Sequence, residues 1–325
     1  MNKRTALWTA FASLLAVGLA SAALQGVATT GASQDTAPGP FERAEPGTLP
    51  DQWIYGGDCA SDPNFQVHAY NEDLYILRQS KCDTYEAPFL YLIFGETKAL
   101  LIDTGAVAGA PVEATVTGVI NDWLAAKGKS SIELIVAHSH SHGDHVAADA
   151  QFNGLPNTTV VGYGVPTVMS FYGFSSWPGE VVQFDLGGRV LDVLATPGHK
   201  NDSVTFYDRR THLLLTGDIV YPGHLFIFAP LQWLDFQDSL VRLADWAETH
   251  PVKWVLGCHV EMTADYGVSY QYTTAVQPNE HPLELHPSIL GTIRDAALDM
   301  GATPECKTFG EFVIHPVYLC GFGYF

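Results

Sequence analysis

Basic residues are scarce in this sequence. Its 325 residues include 16 Lys and Arg against 35 Asp and Glu, which gives a formal net charge of -19. A field of this sign repels phosphate backbones, and no extended basic stretch marks a nucleic-acid cleft, so nucleic acid is not an expected partner. A small-molecule substrate is expected instead. A strongly anionic substrate is also disfavoured, although bound metal ions would invert the local field.

Cysteine is sparse as well, and its spacing excludes a zinc knuckle. None of the five cysteines belongs to a Cys-x-x-Cys pair. In an oxidising compartment, pairing is the default state of cysteine. The pairs Cys59–Cys82 and Cys306–Cys320 are expected because each closes a short local loop. Cys258 is then left over, and we expect it to be a buried, small apolar residue.

The N-terminal apolar run is too short to predict a membrane-spanning helix. Lys3 and Arg4 precede the apolar stretch Ala6–Ala20, and Ala20-Ser21-Ala22 offers a small-residue cleavage site. This pattern predicts an export signal over residues 1–22. Its cleavage would leave a periplasmic or secreted protein without stable membrane insertion. An uncleaved anchor is the alternative.

The rest of the sequence predicts a leader followed by one large domain. Residues 23–50 are rich in Ala, Gly, Thr, Ser and Pro and predict a flexible leader, and residues 51–325 predict a domain with a C-terminal extension from about 265. Four runs spaced as an antiparallel meander precede a helix, and short strands then alternate with helices, which favours a mixed α/β sandwich. The predicted strands are Phe65–His68, Leu74–Arg78, Phe89–Phe94, Ala99–Ile102, Ile132–Ala137, Val190–Ala195, Leu213–Leu215 and Trp254–Leu256, and the predicted helices are Val112–Lys127, Phe236–Glu248 and Pro287–Met300.

Histidine and aspartate follow the last four of these strands. In open α/β sheets, sites are built at the carboxyl ends of strands. Imidazole and carboxylate are ligands that zinc prefers, and such a set is large enough for two ions with one bridging carboxylate. Two ions that share a water lower its pKa and polarise a carbonyl or phosphoryl oxygen. The residues in question are His138, His140, His142, Asp144, His145, His199, Asp218 and His259.

Five ordered motifs resemble those of the metallo-β-lactamase superfamily. The resemblance spans roughly residues 65–260, and five elements in the family order make it specific. It implies a four-layer αββα sandwich with the metals in a groove between two sheets, formed here by residues 51–325. The motifs are Asp103-Thr104-Gly105, His140-Ser-His142-Gly-Asp144-His145, Thr196-Pro-Gly-His199, Thr216-Gly-Asp218 and Gly257-Cys-His259.

The resemblance also implies a division of the ligands between two divalent ions. Zn²⁺ is expected from the histidine-rich set, although manganese or iron would fit too. Asp103 is expected to orient a ligand or the motif loop. His138 stands outside the pattern; we expect a solvated or packed histidine, with a supporting role at the site as the alternative. The implied division is His140, His142 and His199 for one ion, Asp144, His145 and His259 for the other, and Asp218 as the bridge.

The reaction expected from this resemblance is hydrolysis of an ester or lactone. A metal-bridging hydroxide would attack the carbonyl carbon, and Asp144 would help to manage the proton. Asp218 disfavours a β-lactam substrate, because β-lactamases of the superfamily generally lack that carboxylate. Tyr221 resembles a tyrosine of the acyl-homoserine-lactone lactonase branch and would donate a hydrogen bond to the oxyanion. The alternative for Tyr221 is packing beside the site.

The sequence leaves three other functions open. A β-lactam hydrolase is the second hypothesis, and a thioester hydrolase of the hydroxyacylglutathione type is the third. The third is weakened because only Arg294 and Lys307 are basic between His259 and the end of the sequence. A non-catalytic metal-binding protein is the fourth, and the complete ligand set argues against it.

Two aromatic segments are candidates for the wall of an apolar substrate pocket. One is Val165–Trp177, and the other is Gly223–Phe228. Ordinary core packing is the competing explanation for both. A third segment, residues 277–282, is expected to close over the groove.

Overall fold

The computed structural model describes residues 44–323, so the predicted export signal and the first part of the predicted leader lie outside the described residues. The described strands are β1 (Phe65–Asn71), β2 (Leu74–Gln79), β3 (Phe89–Phe94), β4 (Lys98–Ile102), β5 (Glu133–Ala137), β6 (Thr158–Val160), β7 (Val181–Asp185), β8 (Val190–Ala195), β9 (Val204–Asp208), β10 (Leu213–Gly217), β11 (His224–Ile227), β12 (Trp254–Gly257), β13 (Glu284–Leu285), β14 (Lys307–Thr308) and β15 (Val313–Pro316). The helices are α1 (Val112–Lys127), α2 (Gly143–Val146), α3 (Val165–Tyr172), α4 (Pro230–Glu248), α5 (Ile289–Asp299) and α6 (Val317–Cys320).

The strands form two six-stranded sheets and one three-stranded sheet. The first six-stranded sheet has the order β1-β2-β3-β4-β5-β6, and the second has the order β13-β12-β10-β9-β8-β7. Strands β1 to β4 are antiparallel neighbours, which confirms the predicted meander. Parallel pairs occur at β4–β5, β5–β6 and β10–β12. The three-stranded sheet has the order β11-β15-β14.

The two large sheets pack face to face with helices on their outer faces. Alternation along the strands sends Ile76 and Ile93 of the first sheet and Val193 and Phe206 of the second into one shared core. The opposite face of the first sheet packs against α1, and that of the second packs against α4 and α5. This layering confirms the predicted αββα sandwich.

Helix α1 has the predicted bounds because its apolar residues recur at helical spacing. Val116 and Trp123 lie seven residues apart on its buried face, and the Trp123 ring stacks on Phe94 with centroids 4.5 Å apart. The helix ends at Gly128, whose φ of 65° is the left-handed conformation that glycine adopts at little cost.

Helix α4 begins six residues earlier than its predicted start at Phe236. Pro230 occupies the first turn, where the missing N–H of proline costs nothing. The Gln232 side chain accepts hydrogen bonds from the N–H groups of Phe228 (3.1 Å) and Ala229 (2.9 Å), which supports this start. The apolar periodicity alone did not indicate the first turn.

Segments at both ends of the predicted domain are attached to the sandwich. Residues 44–50 fall in the predicted leader, yet the Thr48 N–H donates to the Tyr70 carbonyl (2.9 Å) and Leu49 packs against the core. After residue 265, β13 extends the second sheet and α5 packs on its outer face. Both expected disulfides, Cys59–Cys82 and Cys306–Cys320, are present. Among helices within residues 44–323, none has the length and apolarity needed to span a bilayer.

A buried ion pair joins the two large sheets. Arg189, just before β8, binds both carboxylate oxygens of Asp208 at 3.0 and 2.6 Å. Its remaining donors reach the carbonyls of Asp73 (2.7 Å) and Phe94 (3.1 Å) in the first sheet. Both charged side chains are fully buried. Burial alone would raise the pKa of Asp208, but the Arg189 guanidinium holds it below its usual value.

The variant Asp208→Asn should lower the free energy of unfolding by about 3–5 kcal/mol, because it leaves a buried guanidinium without its counter-charge. Urea unfolding at pH 7 measures the loss. Because the native pKa of Asp208 is depressed, the stabilisation that its carboxylate provides is present at pH values above its unfolded pKa, about 3.9. This stabilisation is lost as the pH falls below that value. Asp295→Asn, which breaks the exposed pair with Arg294, is the control and should cost less than about 1 kcal/mol. Equal losses would contradict this account.

Candidate metal centre

The structure brings all seven candidate ligands together at one edge of the sandwich. Each follows the carboxyl end of a strand: four follow β5 of the first sheet, and one each follows β8, β10 and β12 of the second. The centre therefore depends on the packing of both sheets. Two groups could each hold an ion, with ligand atoms within 4.8 Å of one another: His140, His142 and His199 in one, and Asp144, His145, Asp218 and His259 in the other.

The carboxylate of Asp218 lies at the middle of the cluster. Its Oδ2 is 3.4 Å from His145 Nε2, 3.5 Å from His259 Nε2, 3.6 Å from His199 Nε2 and 3.9 Å from His140 Nε2. Its Oδ1 is buried and has no hydrogen-bond partner within the described chain. A buried carboxylate oxygen without a donor is costly, and a cation would satisfy it. Asp218 thus fits a position between two metal ions.

Spacings within each group match those of ligands around a common ion. His145 Nε2 and His259 Nε2 are 3.3 Å apart, and Asp144 Oδ2 lies 3.2 and 3.3 Å from them. In the other group, His142 Nδ1 lies 3.1 Å from His140 Nε2 and 2.8 Å from the third histidine. Atoms bound at about 2.0–2.1 Å to a tetrahedral zinc lie about 3.3–3.4 Å apart. The group of Asp144, His145 and His259 has this spacing, the histidine group is somewhat tighter, and the donor set fits zinc.

Outward hydrogen bonds orient three of the rings. The Nδ1–H groups of His199 and His259 donate to backbone carbonyls, at 2.9 Å for Phe226 and 3.0 Å for Glu86. The Nδ1–H of His145 donates to a carboxylate at 2.9 Å. With the proton on Nδ1, each Nε2 lone pair faces the cluster and is available for a metal.

Asp103 supplies the carboxylate behind His145, as the sequence led us to expect. It follows β4 with a φ of 69°, a left-handed conformation that aspartate tolerates better than most residues. Its oxygens also accept from the Ser139 N–H (2.7 Å), the Ser139 hydroxyl (2.8 Å) and the Cys258 thiol (3.3 Å). Burial raises the pKa of that thiol, so Cys258 stays protonated as the expected buried residue. Asp103, His145 and Cys258 form a third close group, but there Asp103 is already satisfied by donors.

Burial and neighbouring charges act differently on the two groups of candidate ligands. Burial lowers the pKa of His140 and His199, and burial together with the neighbouring His199 lowers that of His142 to about 4. Burial opposes ionisation of Asp218, yet His259 and the other imidazoles hold its pKa below the usual range. At neutral pH the group of His140, His142 and His199 therefore offers neutral imidazoles beside the ionised carboxylate of Asp218. Burial opposes protonation of His145 and His259, but Asp144 and Asp218 raise the pKa of both, that of His259 to about 9, so a metal ion would displace a proton there.

A cavity of about 290 Å³ opens directly above the cluster. Five of the candidate ligands form its floor. Burial raises the pKa of one wall carboxyl, Glu261, to about 7. Two carboxyl groups and five aromatic rings form the walls: Glu86, Glu261, Tyr221, Phe226, Phe228, Tyr272 and Phe322.

The family of this chain follows from comparison with known proteins. Residues 85–297 match the model of the metallo-beta-lactamase superfamily. The chain belongs to that superfamily. The membership confirms the expected family and the expected metal-dependent hydrolase.

Its similarity to individual superfamily proteins is distant. The acyl-coenzyme A thioesterase MBLAC2 of Bos taurus is 25% identical over 200 residues, which cover 52% of this chain and 72% of that protein. The hydroxyacylglutathione hydrolase of Rhizobium meliloti (strain 1021) is 30% identical over 130 residues, 39% of this chain and 50% of that protein. Among solved structures, a metallo-beta-lactamase from Pontibacter korlensis aligns with 17% identity and a TM-score of 0.46, covering 72% of this chain and 99% of that one.

His138 lies outside both ligand groups of this superfamily member. Its Nε2 is 2.9 Å from Asp149 Oδ1, and its ring packs edge-on against Tyr163 with centroids 5.3 Å apart. Asp149 also accepts hydrogen bonds from Thr104 and Tyr163. The expectation of a packed histidine is confirmed.

Tyr221 borders the cavity, and its hydroxyl donates to the His224 carbonyl. The hydroxyl also lies 3.3 Å from Glu261 Oε2, and the ring centroid is 5.7 Å from that of His259. Gly257 makes this position possible, because a Cβ there would lie 2.2 Å from the Tyr221 Cβ. The structure thus places the phenol beside the candidate ligands.

The expected pocket walls are only partly correct. Phe226 and Phe228 line the cavity, but the segment Val165–Trp177 does not, because its apolar side chains pack into the core between the sheets. Residues 277–282 do not line the cavity either: Glu280 binds Arg78 at 2.5 and 2.7 Å instead.

Four wall residues were missed by sequence reasoning. Glu261 stands two residues beyond His259, so strand-end alternation could have indicated it, whereas Glu86 precedes β3 and flanks no motif. Tyr272 and Phe322 reach the cavity from C-terminal segments that carry no motif. No local sequence signal would have indicated these two rings.

The variant Asp103→Asn should weaken zinc affinity about 10–100-fold, because His145 loses the carboxylate that fixes its ring and raises its basicity. Competition with a chromogenic chelator measures the affinity. Asp149→Asn is the matched control: it neutralises another buried carboxylate that contacts His138 rather than a candidate ligand. Equal zinc affinity of Asp103→Asn and the unmodified protein would rule out the orienting role.

Proposed function

We propose that this protein is an exported, dinuclear zinc hydrolase that cleaves a carboxylic ester or lactone. The observation that carries the proposal is the buried Asp218 carboxylate among four imidazoles at the floor of an aromatic-walled cavity. Export is supported by the pattern of residues 1–22 and by the two disulfides, which persist in oxidising compartments.

In this proposal the seven candidate ligands hold two zinc ions. His140, His142 and His199 would hold one, Asp144, His145 and His259 would hold the other, and Asp218 would bridge them. Bound zinc supplies a nucleophile from water at neutral pH and polarises the substrate carbonyl. Side chains of the protein would transfer the proton and stabilise the developing oxyanion.

Asp144 is the group best placed to move the proton. Its Oδ2 lies at the cavity floor, and its side chain is the most exposed among the carboxylates of the cluster, at 21%. The oxygen of water forms a bond to the acyl carbon, and the bond from that carbon to the ester oxygen breaks. Asp144 would accept the proton of the attacking water at Oδ1, the oxygen left free when Oδ2 faces the second zinc, and return it to the departing oxygen.

Tyr221 would stabilise the negative charge that develops on the carbonyl oxygen. Its hydroxyl proton points to the His224 carbonyl in the structure and would have to turn toward the substrate. Burial, together with the nearby Glu261 and Asp218, raises the pKa of the phenol, so it remains a donor at neutral pH.

A thioester is the second candidate substrate. It is favoured by the two relatives described above, whose names are those of thioester hydrolases. Coenzyme A and glutathione are anionic, however, and the described cavity wall includes no lysine or arginine to pair with them. An oxygen ester or lactone therefore remains the first candidate substrate.

Purified protein should contain two zinc ions per chain, and chelation should abolish its hydrolytic activity, with recovery when zinc is returned. Metal analysis by mass spectrometry gives the first result. A panel of esters, lactones, thioesters, β-lactams and phosphodiesters gives the second. Turnover of phosphodiesters or β-lactams alone would overturn the proposed bond class.

The variant Tyr221→Phe should lower kcat about 10²–10³-fold on the preferred ester, with little change in KM, because one oxyanion donor is lost. Steady-state kinetics at saturating zinc measures both constants. Tyr163→Phe, which removes a hydroxyl bound to Asp149 outside the ligand groups, is the control. An unchanged kcat/KM would assign Tyr221 a packing role only.

A further inference from the structure

The cavity carries two carboxyl groups that neither ligand group uses. Glu86 and Glu261 both line it, together with the aromatic rings Phe228, Tyr272 and Phe322. Within the described part of the chain, no lysine or arginine lines this cavity. A substrate that enters it meets carboxyl groups and aromatic rings beyond the metal ligands.

The hydrogen-bond partners of these carboxyls are neutral. Glu261 Oε2 accepts from the His224 N–H at 2.7 Å, and Glu86 Oε1 lies 3.2 Å from the Tyr85 hydroxyl. That hydroxyl is also 2.5 Å from the hydroxyl of Tyr272. These contacts fix the carboxyls in place without supplying a counter-charge.

Nearby cations are directed elsewhere. Lys81 is buried, with its ammonium 3.4 Å from Glu280 and 3.0 Å from the Tyr85 carbonyl. Arg78 binds the same Glu280 with both terminal nitrogens and is also buried. Lys200 lies close enough to His142 to affect its pKa but does not line the cavity. His259 and Lys81 lie close enough to Glu261 to oppose the rise that burial causes in its pKa, but within the described residues no lysine or arginine forms an ion pair with Glu86 or Glu261.

Aromatic rings complete the outer wall. The rings of Tyr272 and Phe322 stack with centroids 5.3 Å apart, and Phe322 lies 5.9 Å from Phe226 and 6.4 Å from Phe228. Ring faces attract cations through their quadrupole, and quaternary ammonium groups are the ligands that proteins typically recognise in this way. Carboxylates beside such rings add direct charge attraction.

We propose that the substrate carries a substituted ammonium group, which Glu86 and Glu261 bind against the rings of Tyr272, Phe322 and Phe228. This inference deepens the proposed function and rests on it for the hydrolysed bond. An anionic group in the same place would lie against two carboxyl groups, with no lysine or arginine in the described lining to pair with it, which disfavours it. The net charge of -19 also raises the local concentration of cationic ligands.

Two matched probes test the charge preference without catalysis. Choline and its neutral analogue 3,3-dimethylbutan-1-ol differ in one charge at almost constant shape. Isothermal titration of the zinc-loaded protein at pH 8 should give a Kd for choline at least about tenfold lower. Equal affinity, or tighter binding of the neutral alcohol, would overturn the inference.

Kinetics then tests whether the same preference governs turnover. The acetate esters of choline, of 3,3-dimethylbutan-1-ol and of 3-hydroxypropanoate carry positive, zero and negative charge, and a second set places the charges on the acyl group. We expect the cationic member of one set to have the highest kcat/KM. Hydrolysis of all members at equal kcat/KM would refute the charge preference and leave the proposed function standing. Choline binding without hydrolysis of any ester would refute the proposed function and support the cation site.

Variants identify the residues responsible. Glu86→Gln combined with Glu261→Gln should reduce the choline preference to about onefold, and Tyr272→Leu should reduce it partly. Glu133→Gln is the matched control, because this exposed carboxylate begins β5 at the end opposite the ligands, and the preference should not change. Circular dichroism and zinc content verify folding of each variant. An unchanged preference in the folded double variant would contradict the assignment.

Discussion

A carboxylate buried between two sheets is the constraint on which the rest of this structure depends. Asp218 lies within 4 Å of four imidazoles, and one of its oxygens has no protein donor in the described chain. Such a charge is too costly to bury without compensation. The imidazoles supply part of it, and the geometry leaves room for metal ions to supply the remainder. The stability of the centre therefore depends on both sources of compensation.

That constraint requires the two large sheets to keep a fixed relative position. The ligands come from both sheets, so a small shift between the sheets would separate them. The large apolar core between the sheets opposes such a shift, and the buried pair of Arg189 and Asp208 adds directional contacts across it. Outward hydrogen bonds of His145, His199 and His259 then set each ring. Core packing, the ion pair and the outward hydrogen bonds therefore all hold the candidate ligands in place relative to one another.

Local patterns accounted for the fold and for the positions of the candidate ligands. Strand periodicity and the strand-end motifs are local signals, and the ordered spacing from Asp103 to His259 predicted which residues would meet. The cavity wall depends on contacts between distant segments. Tyr272 and Phe322 reach it through chain paths that no motif marks, and Val165–Trp177 resembled a pocket wall only because core aromatics and pocket aromatics have the same composition. Substrate preference lies in that non-local part, which is why the sequence left it open.

The division of the ligands between two ions is the central claim, and anomalous X-ray diffraction at the zinc edge tests it most directly. Crystals of the zinc-loaded protein should show two anomalous peaks about 3.5–4 Å apart on either side of the Asp218 carboxylate. One peak should lie beside His140, His142 and His199, and the other beside Asp144, His145 and His259. A single peak, or peaks that avoid Asp218, would contradict the account.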